Sequence, residues 1–193
     1  MGKTYEVEVK IPIDDEDRLI QELKQAKAKR LRSEKESDIY FDHPCRSFST
    51  TDEAVRLRRV YPDDTTDSVS IPVPAELTYK GPKVDKKTKT RLEYSSTVGD
   101  ADAIVSFLQQ TGFKHVGNIT KQRIFYQLDD INISIDDVVD VGLFVEFELI
   151  AHSNEEMVHA RERILALIVN LGLDPKKTVR ESYLELYFQE KRH

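Results

Sequence analysis

"YEVEVKI", residues 5–11, alternates without a break. As a strand it sends Tyr5, Val7, Val9 and Ile11 to one face and Glu6, Glu8 and Lys10 to the other. The first face belongs against a core. The second sets two carboxylates and an ammonium in a row, successive charges about 7 Å apart. The same alternation returns in "SDIYFD" (37–42), "AVRLRRV" (54–60), "AELTYKG" (75–81) and "TRLEYSS" (90–96). It continues through "KQRIFYQL" (121–128), "DINISID" (130–136) and "GLFVEFELI" (142–150), which makes eight candidate strands.

The charged faces are sorted by type. Glu6 with Glu8, and Glu146 with Glu148, are carboxylates at i, i+2. Arg56 with Arg58, and Lys121 with Arg123, are cations at the same spacing, and Lys80 and Arg91 oppose Leu77, Tyr79 and Leu92 on their strands. A single antiparallel strand can wet such a face. A solvated face, though, is usually mixed with Thr, Ser and Gln. Sorting over so many strands favours a closed barrel with the charges in its lumen and the apolar faces outward under helices. Lumenal charges then need water, counter-charges or a ligand. The fold class expected is β-dominated α+β: an eight-stranded antiparallel barrel, or tunnel, with helices packed outside.

Three helical stretches and a short last one interrupt the strands. Asp14 caps a helix expected to run to about Arg30, with Asp15, Glu16 and Asp17 in its first turn and Lys24, Lys27, Lys29 and Arg30 in its last. "DADAIVSFLQQTG" (100–112) is stopped by Gly112. Ser153 and Glu156 form a capping box for a helix stopped by Gly172. A last helix is expected around residues 180–190. "YPDDTTDSVSIPVP" (61–74) reads as a loop and "KVDKKTK" (83–89) as a solvated hairpin connection. No break in composition divides residues 1–193, so one domain is expected.

Charged residues make up 33% of the 193, above the usual quarter, so some are expected to do more than cover a surface. The 35 acidic against 29 basic residues, net −6, argue against coating nucleic acid by bulk positive charge. The single cysteine, Cys45, excludes an intrachain disulfide, and with His43 it sits in a turn-like "DHPCRS" read as structural. Without a long apolar run or a secretory pattern the chain is expected to be soluble and cytoplasmic, with no membrane partner.

Glu6, Glu8, Glu146 and Glu148 are hard oxygen donors suited to Mg²⁺ or Mn²⁺. The sequence shows no Cys/His cluster for zinc. Lys10, Arg56, Arg58, Lys80, Arg91, Lys121 and Arg123 supply cations, and arginine forks match phosphate oxygens. A polyanion bridged by divalent metals satisfies both sets, and triphosphate is the natural candidate. Crowded cations should also repel in the empty protein, so that Arg58→Ala is expected to stabilise it.

These residues carry a family resemblance. E-x-E-x-K at the start, R-x-R in "VRLRR", then "TYKGP", "TRLE", "KQR", "SIDDVVDVG" and "VEFE" follow in the order of the CYTH superfamily. These are the triphosphate tunnel metalloenzymes, among them class IV adenylyl cyclases, thiamine triphosphatases and inorganic triphosphatases. The resemblance covers nearly the whole chain and implies a triphosphate threaded along the tunnel with one or two divalent metals. It implies Glu6, Glu8, Glu146 and Glu148 as metal ligands, with Asp136 a further acid near them. Lys10, Arg56, Arg58, Lys80, Arg91, Lys121 and Arg123 become the phosphate cradle, Lys10 with Glu6 and Glu8 carrying the catalysis. Glu93 would orient a neighbour, and Arg180, beginning "RESYLEL", would reach the tunnel mouth. A homodimer is expected from the family alone. Hydrolysis of inorganic triphosphate, and of nucleoside triphosphates beside it, is the leading reading. Cyclisation of ATP, hydrolysis of thiamine triphosphate and binding of polyphosphate without turnover stand beside it.

Overall fold

The computed structural model describes residues 5–63, 73–84 and 90–191. Most of the expected loop at 61–74 and of the lysine-rich connection at 83–89 lies outside them. Eight strands close into an antiparallel barrel. They are β1 (Tyr5–Pro12), β2 (Lys29–Asp42), β3 (Ala54–Pro62), β4 (Ala75–Lys83), β5 (Arg91–Val98), β6 (Lys114–Leu128), β7 (Ile131–Val138) and β8 (Gly142–Ala151). Around the barrel they run β1-β5-β4-β3-β2-β6-β7-β8.

Alternation decides which side chains enter the lumen. β1 pairs with β8 in a register that sets Glu8 opposite Glu148 and Lys10 opposite Glu146. Val7, Val9, Ile11, Ile133, Ile135, Val145 and Phe147 therefore face outward, buried under α1 (Glu16–Gln25) and α4 (Asn154–Asn170) through Leu19, Leu23, Ile164 and Ile168. A second outer core joins Phe41, Leu57 and Ala75 to Leu108 of α3 (Ala101–Gln110).

At one end the inward faces turn apolar. Two residues beyond Asp38, Lys121, Asp136 and Glu146 on their strands lie Tyr40, Ile119, Val138 and Phe144. With Tyr183 of α5 (Tyr183–Glu190) they form a buried cluster. α5 crosses β6 where Gly117 has no side chain; a Cβ there would stand 3.1 Å from Leu184.

Three expectations about helices change. Asp15, not Asp14, caps α1, accepting from the Arg18 N–H at 2.9 Å. α1 ends at Gln25, not Arg30. Lys27 adopts a left-handed φ of 63°, and Lys29 and Arg30 open the long strand β2. Ser153 caps α4 by accepting from the Glu156 N–H, but Glu156 accepts in turn from His152 and not from Ser153. The reciprocal capping box belongs to α5, between Ser182 and Glu185. A short helix not foreseen, α2 (Phe48–Thr51), precedes β3. No described helix is long and apolar enough to cross a membrane.

Candidate active site

The lumen holds a cavity of about 450 Å³. Glu6 and Glu8 from β1 and Glu146 and Glu148 from β8 line one wall. Arg56 and Arg58 from β3, Lys80 from β4, Arg91 from β5, and Lys121 and Arg123 from β6 line the rest. Strand alternation brings these residues together from opposite ends of the sequence.

The cations are not free to repel one another, because acids lie behind them. Arg58 forks onto Asp38, donating to its two oxygens at 2.7 and 2.8 Å, and donates to Glu36 at 2.9 Å. Arg123 forks onto Asp136 and reaches Glu146. Lys121 lies 3.1 Å from Glu36 and 3.2 Å from Asp136. Lys80 donates to both oxygens of Glu93, at 2.6 and 2.8 Å. Burial works to raise the Glu36 carboxyl, but Arg123, Lys121 and Arg58 outweigh it and hold it at about 2. Asp38 is likewise held below the usual carboxylate range against its burial, by Arg58 and Arg56. Glu36 and Asp38 are absent from the sequence-derived site. The expected sign for Arg58→Ala is therefore reversed: removing Arg58 strips buried acids of their partner.

The β1–β8 wall behaves differently. Burial raises the Glu6 carboxyl well above its ordinary value; Lys80 opposes this, while Glu148 and Glu93 add to it. Glu148 is also raised, first by burial and then by Glu8 and Glu146. Glu148 and Glu93 are thus the like charges nearest in effect to the Glu6 carboxyl. Carboxyl groups this close do not all ionise. Among the described residues, no three His, Cys, Asp or Glu side chains already surround a point a metal could occupy.

Three expected site residues do not line the cavity. Lys10 is fully buried, its ammonium 3.9 Å from the centre of the Tyr183 ring and 5.6 Å from that of Phe144. Asp136 is also fully buried and accepts from Arg123, Lys121 and the Tyr183 hydroxyl, the last at 2.7 Å. Arg180 sits before α5, its backbone N–H donating to Glu181. The sequence reading also omitted Glu76, Lys83 and Tyr183, all on the cavity wall. Tyr183 had a signal in the "RESYLEL" motif, and Glu76 in its place on the strand face of Lys80, four residues before it. Cys45 is exposed, and its N–H donates to His43 Nδ1, which fits a turn.

The site is a closed barrel whose lumen sets forked guanidinium groups against a wall of carboxyls. The CYTH domain family matches residues 4–183, and the chain belongs to that family. CYTH enzymes act on triphosphates. The chain is 36% identical over 181 residues to a Methanocaldococcus jannaschii protein that carries the provisional name adenylate cyclase, covering 94% of this chain and 97% of that one. It is 24% identical over 183 residues to an Aeromonas hydrophila adenylate cyclase, covering 94% and 88%. A solved structure of a Pyrococcus horikoshii OT3 protein superposes with a TM-score of 0.85 at 35% identity, covering 96% of this chain and 99% of that one.

Proposed function

We propose that the protein is a metal-dependent hydrolase of triphosphates that splits inorganic triphosphate to pyrophosphate and phosphate, and takes nucleoside triphosphates as further substrates. The observation that carries this is the division of charge in one cavity. Guanidinium and ammonium groups, most of them paired with an acid, face a wall where burial and like charge push the Glu6 and Glu148 carboxyls up. Half-buried carboxyls pushed up by burial and by one another on a cavity wall are chemically suited to a divalent metal. The donor set is all oxygen, which fits Mg²⁺ or Mn²⁺. Glu6, Glu8 and Glu148 would hold the metal with Glu146, which gives one oxygen to Arg123, whereas both oxygens of Asp136 already serve Arg123, Lys121 and Tyr183.

When bound, such a metal polarises phosphoryl oxygens and lowers the pKa of a bound water. The chain's own residues do the rest. Arg56, Arg58 and Arg123 offer planar forks to phosphate oxygens, with Lys121 a point charge between them. The acids behind these groups fix their positions before substrate arrives, so the cations meet the charge shifting toward the leaving pyrophosphate without reorganising. The barrel wall confines the phosphate chain and limits how it can react.

Cyclisation of ATP is the second reading, and a specific feature favours it. Beside the charges the cavity has an apolar wall of Phe41, Phe48, Val116, Leu184 and Phe188 that could face a base, and both named relatives are called adenylate cyclases. Hydrolysis is placed first because polar side chains on that wall are already engaged with protein. Asp42 accepts from the N–H groups of His43 and Phe48, Ser49 pairs with Ser47, and Ser182 with Glu185. The test is to give the purified protein inorganic triphosphate, ATP and thiamine triphosphate with Mg²⁺ or Mn²⁺ and to identify products. Phosphate and pyrophosphate from inorganic triphosphate are expected. Cyclic AMP as the main product would transfer the assignment to the cyclase, and binding without turnover would remove both.

A further inference from the structure

The cation pairs in the cavity are not equivalent. Arg58 is gripped by Asp38 and Glu36, whose side chains are 3% and 2% exposed. Arg56, two residues earlier, is served by Glu76, whose side chain is 43% exposed and lines the cavity. One contact joins them, Arg56 Nη2 donating to Glu76 Oε1 at 3.2 Å. The same oxygen accepts from the Thr78 hydroxyl at 3.0 Å. Asp38, bound to Arg58, comes only within 3.9 Å of Arg56. The Arg56 side chain is nine-tenths buried, and its Nε–H has no acceptor among the described residues. Arg56 Nη2 also reaches the Thr78 hydroxyl at 3.5 Å, so a buried guanidinium holds its one wet carboxylate by a single contact and leaves its Nε–H unused.

We propose that Glu76 is a tethered competitor of the substrate: it occupies an anion position on Arg56 and yields it when a phosphate group arrives. This rests on the reading that triphosphate binds in the cavity. A buried guanidinium with no counter-charge is costly, so an anion within the chain keeps Arg56 neutralised when substrate is absent. A solvated carboxylate held by one contact is a weak partner. A phosphate group with more charge, able to accept from two nitrogens of one fork, is a stronger one. Glu76 therefore raises the concentration of triphosphate needed to fill the site and disfavours singly charged anions on Arg56.

The experiment is a calorimetric titration of the full chain with inorganic triphosphate, without metal so that no turnover occurs. The proteins are wild type, Glu76→Gln, Arg56→Ala and the double variant. Wild type is expected to bind, and Glu76→Gln to bind about two- to fivefold more tightly, the span of a weak exposed ion pair. Arg56→Ala should bind more weakly, and Glu76→Gln should add nothing in that background. Equal or weaker binding by Glu76→Gln overturns the competitor. So does an equal gain with Arg56 removed, because the carboxylate would then act through space and not on Arg56. Wild type that fails to bind triphosphate overturns the cavity reading and the competitor with it; a wild type that binds, with no gain in Glu76→Gln, removes the competitor alone.

Discussion

On β2 the barrel buries Glu36 and Asp38 beside Arg58, Lys121 and Arg123, whereas on β1 and β8 it sets Glu6 and Glu148 beside one another. Both are carboxylates spaced i, i+2 from another acid on an inward strand face. In the first region the cations outweigh burial and the acids stay ionised. In the second, burial and like charge dominate and the carboxyls are pushed up. Where the chain neutralises its own charge, the interaction holds the barrel; where it does not, charge is left for a ligand to complete.

The largest expected effect lies in the first region. Asp38→Ala leaves the Arg58 guanidinium buried without its main partner and should destabilise the fold by on the order of 3–5 kcal/mol in chemical denaturation. Arg58→Ala should destabilise it too, and the double variant should lose less than the sum, because each single change already breaks the same pair. A more stable Arg58→Ala protein would restore the picture of repelling cations and break the comparison.

A smaller effect separates the two regions by pH. Glu36 is depressed from 4.5 to about 2, so its stabilisation is complete above about pH 4.5 and is lost as the pH falls toward 2. Glu6 and Glu148 have the opposite sign. Their raised carboxyls favour the fold below the usual carboxylate range and lose that contribution as the pH rises through their folded values. Melting midpoints should therefore fall on both sides of an optimum. Non-catalytic Ca²⁺ should lift the high-pH limb only, since a cation on the β1–β8 wall offsets the like charge of Glu6, Glu8, Glu146 and Glu148. A Ca²⁺ effect confined to the acid limb would reverse the two assignments.

The barrel was legible because most of its strands pair an apolar face with a charged one. β2 was not, over Lys29–Glu36, because the residues it buries there are Ser33, Glu34 and Glu36. Polar residues on the buried face erase the alternation, and Lys24, Lys27, Lys29 and Arg30 suit the end of a helix. That segment hid Glu36, and with it the run Glu34, Glu36, Asp38 that repeats the i, i+2 acids of β1 and β8, so Asp38 stood alone at the start of "SDIYFD". The candidate wall of Glu6, Glu8, Glu146 and Glu148 was readable because each acid lies between outward apolar neighbours. Lys10 was placed on the correct strand face but not under Tyr183, since a contact made by a helix more than 170 residues later has no local signal.

The claim that the β1–β8 acids are kept for a metal is tested most directly by Glu148→Gln, with turnover of inorganic triphosphate at limiting Mn²⁺ and a thermal melt measured on the same preparation. Turnover should fall by about 100-fold or more, the scale of losing one group that stabilises the transition state. The melting midpoint should hold or rise, because a crowded carboxyl has lost its charge. Near-wild-type turnover, or a fall in midpoint as large as that of Asp38→Ala, would contradict the account.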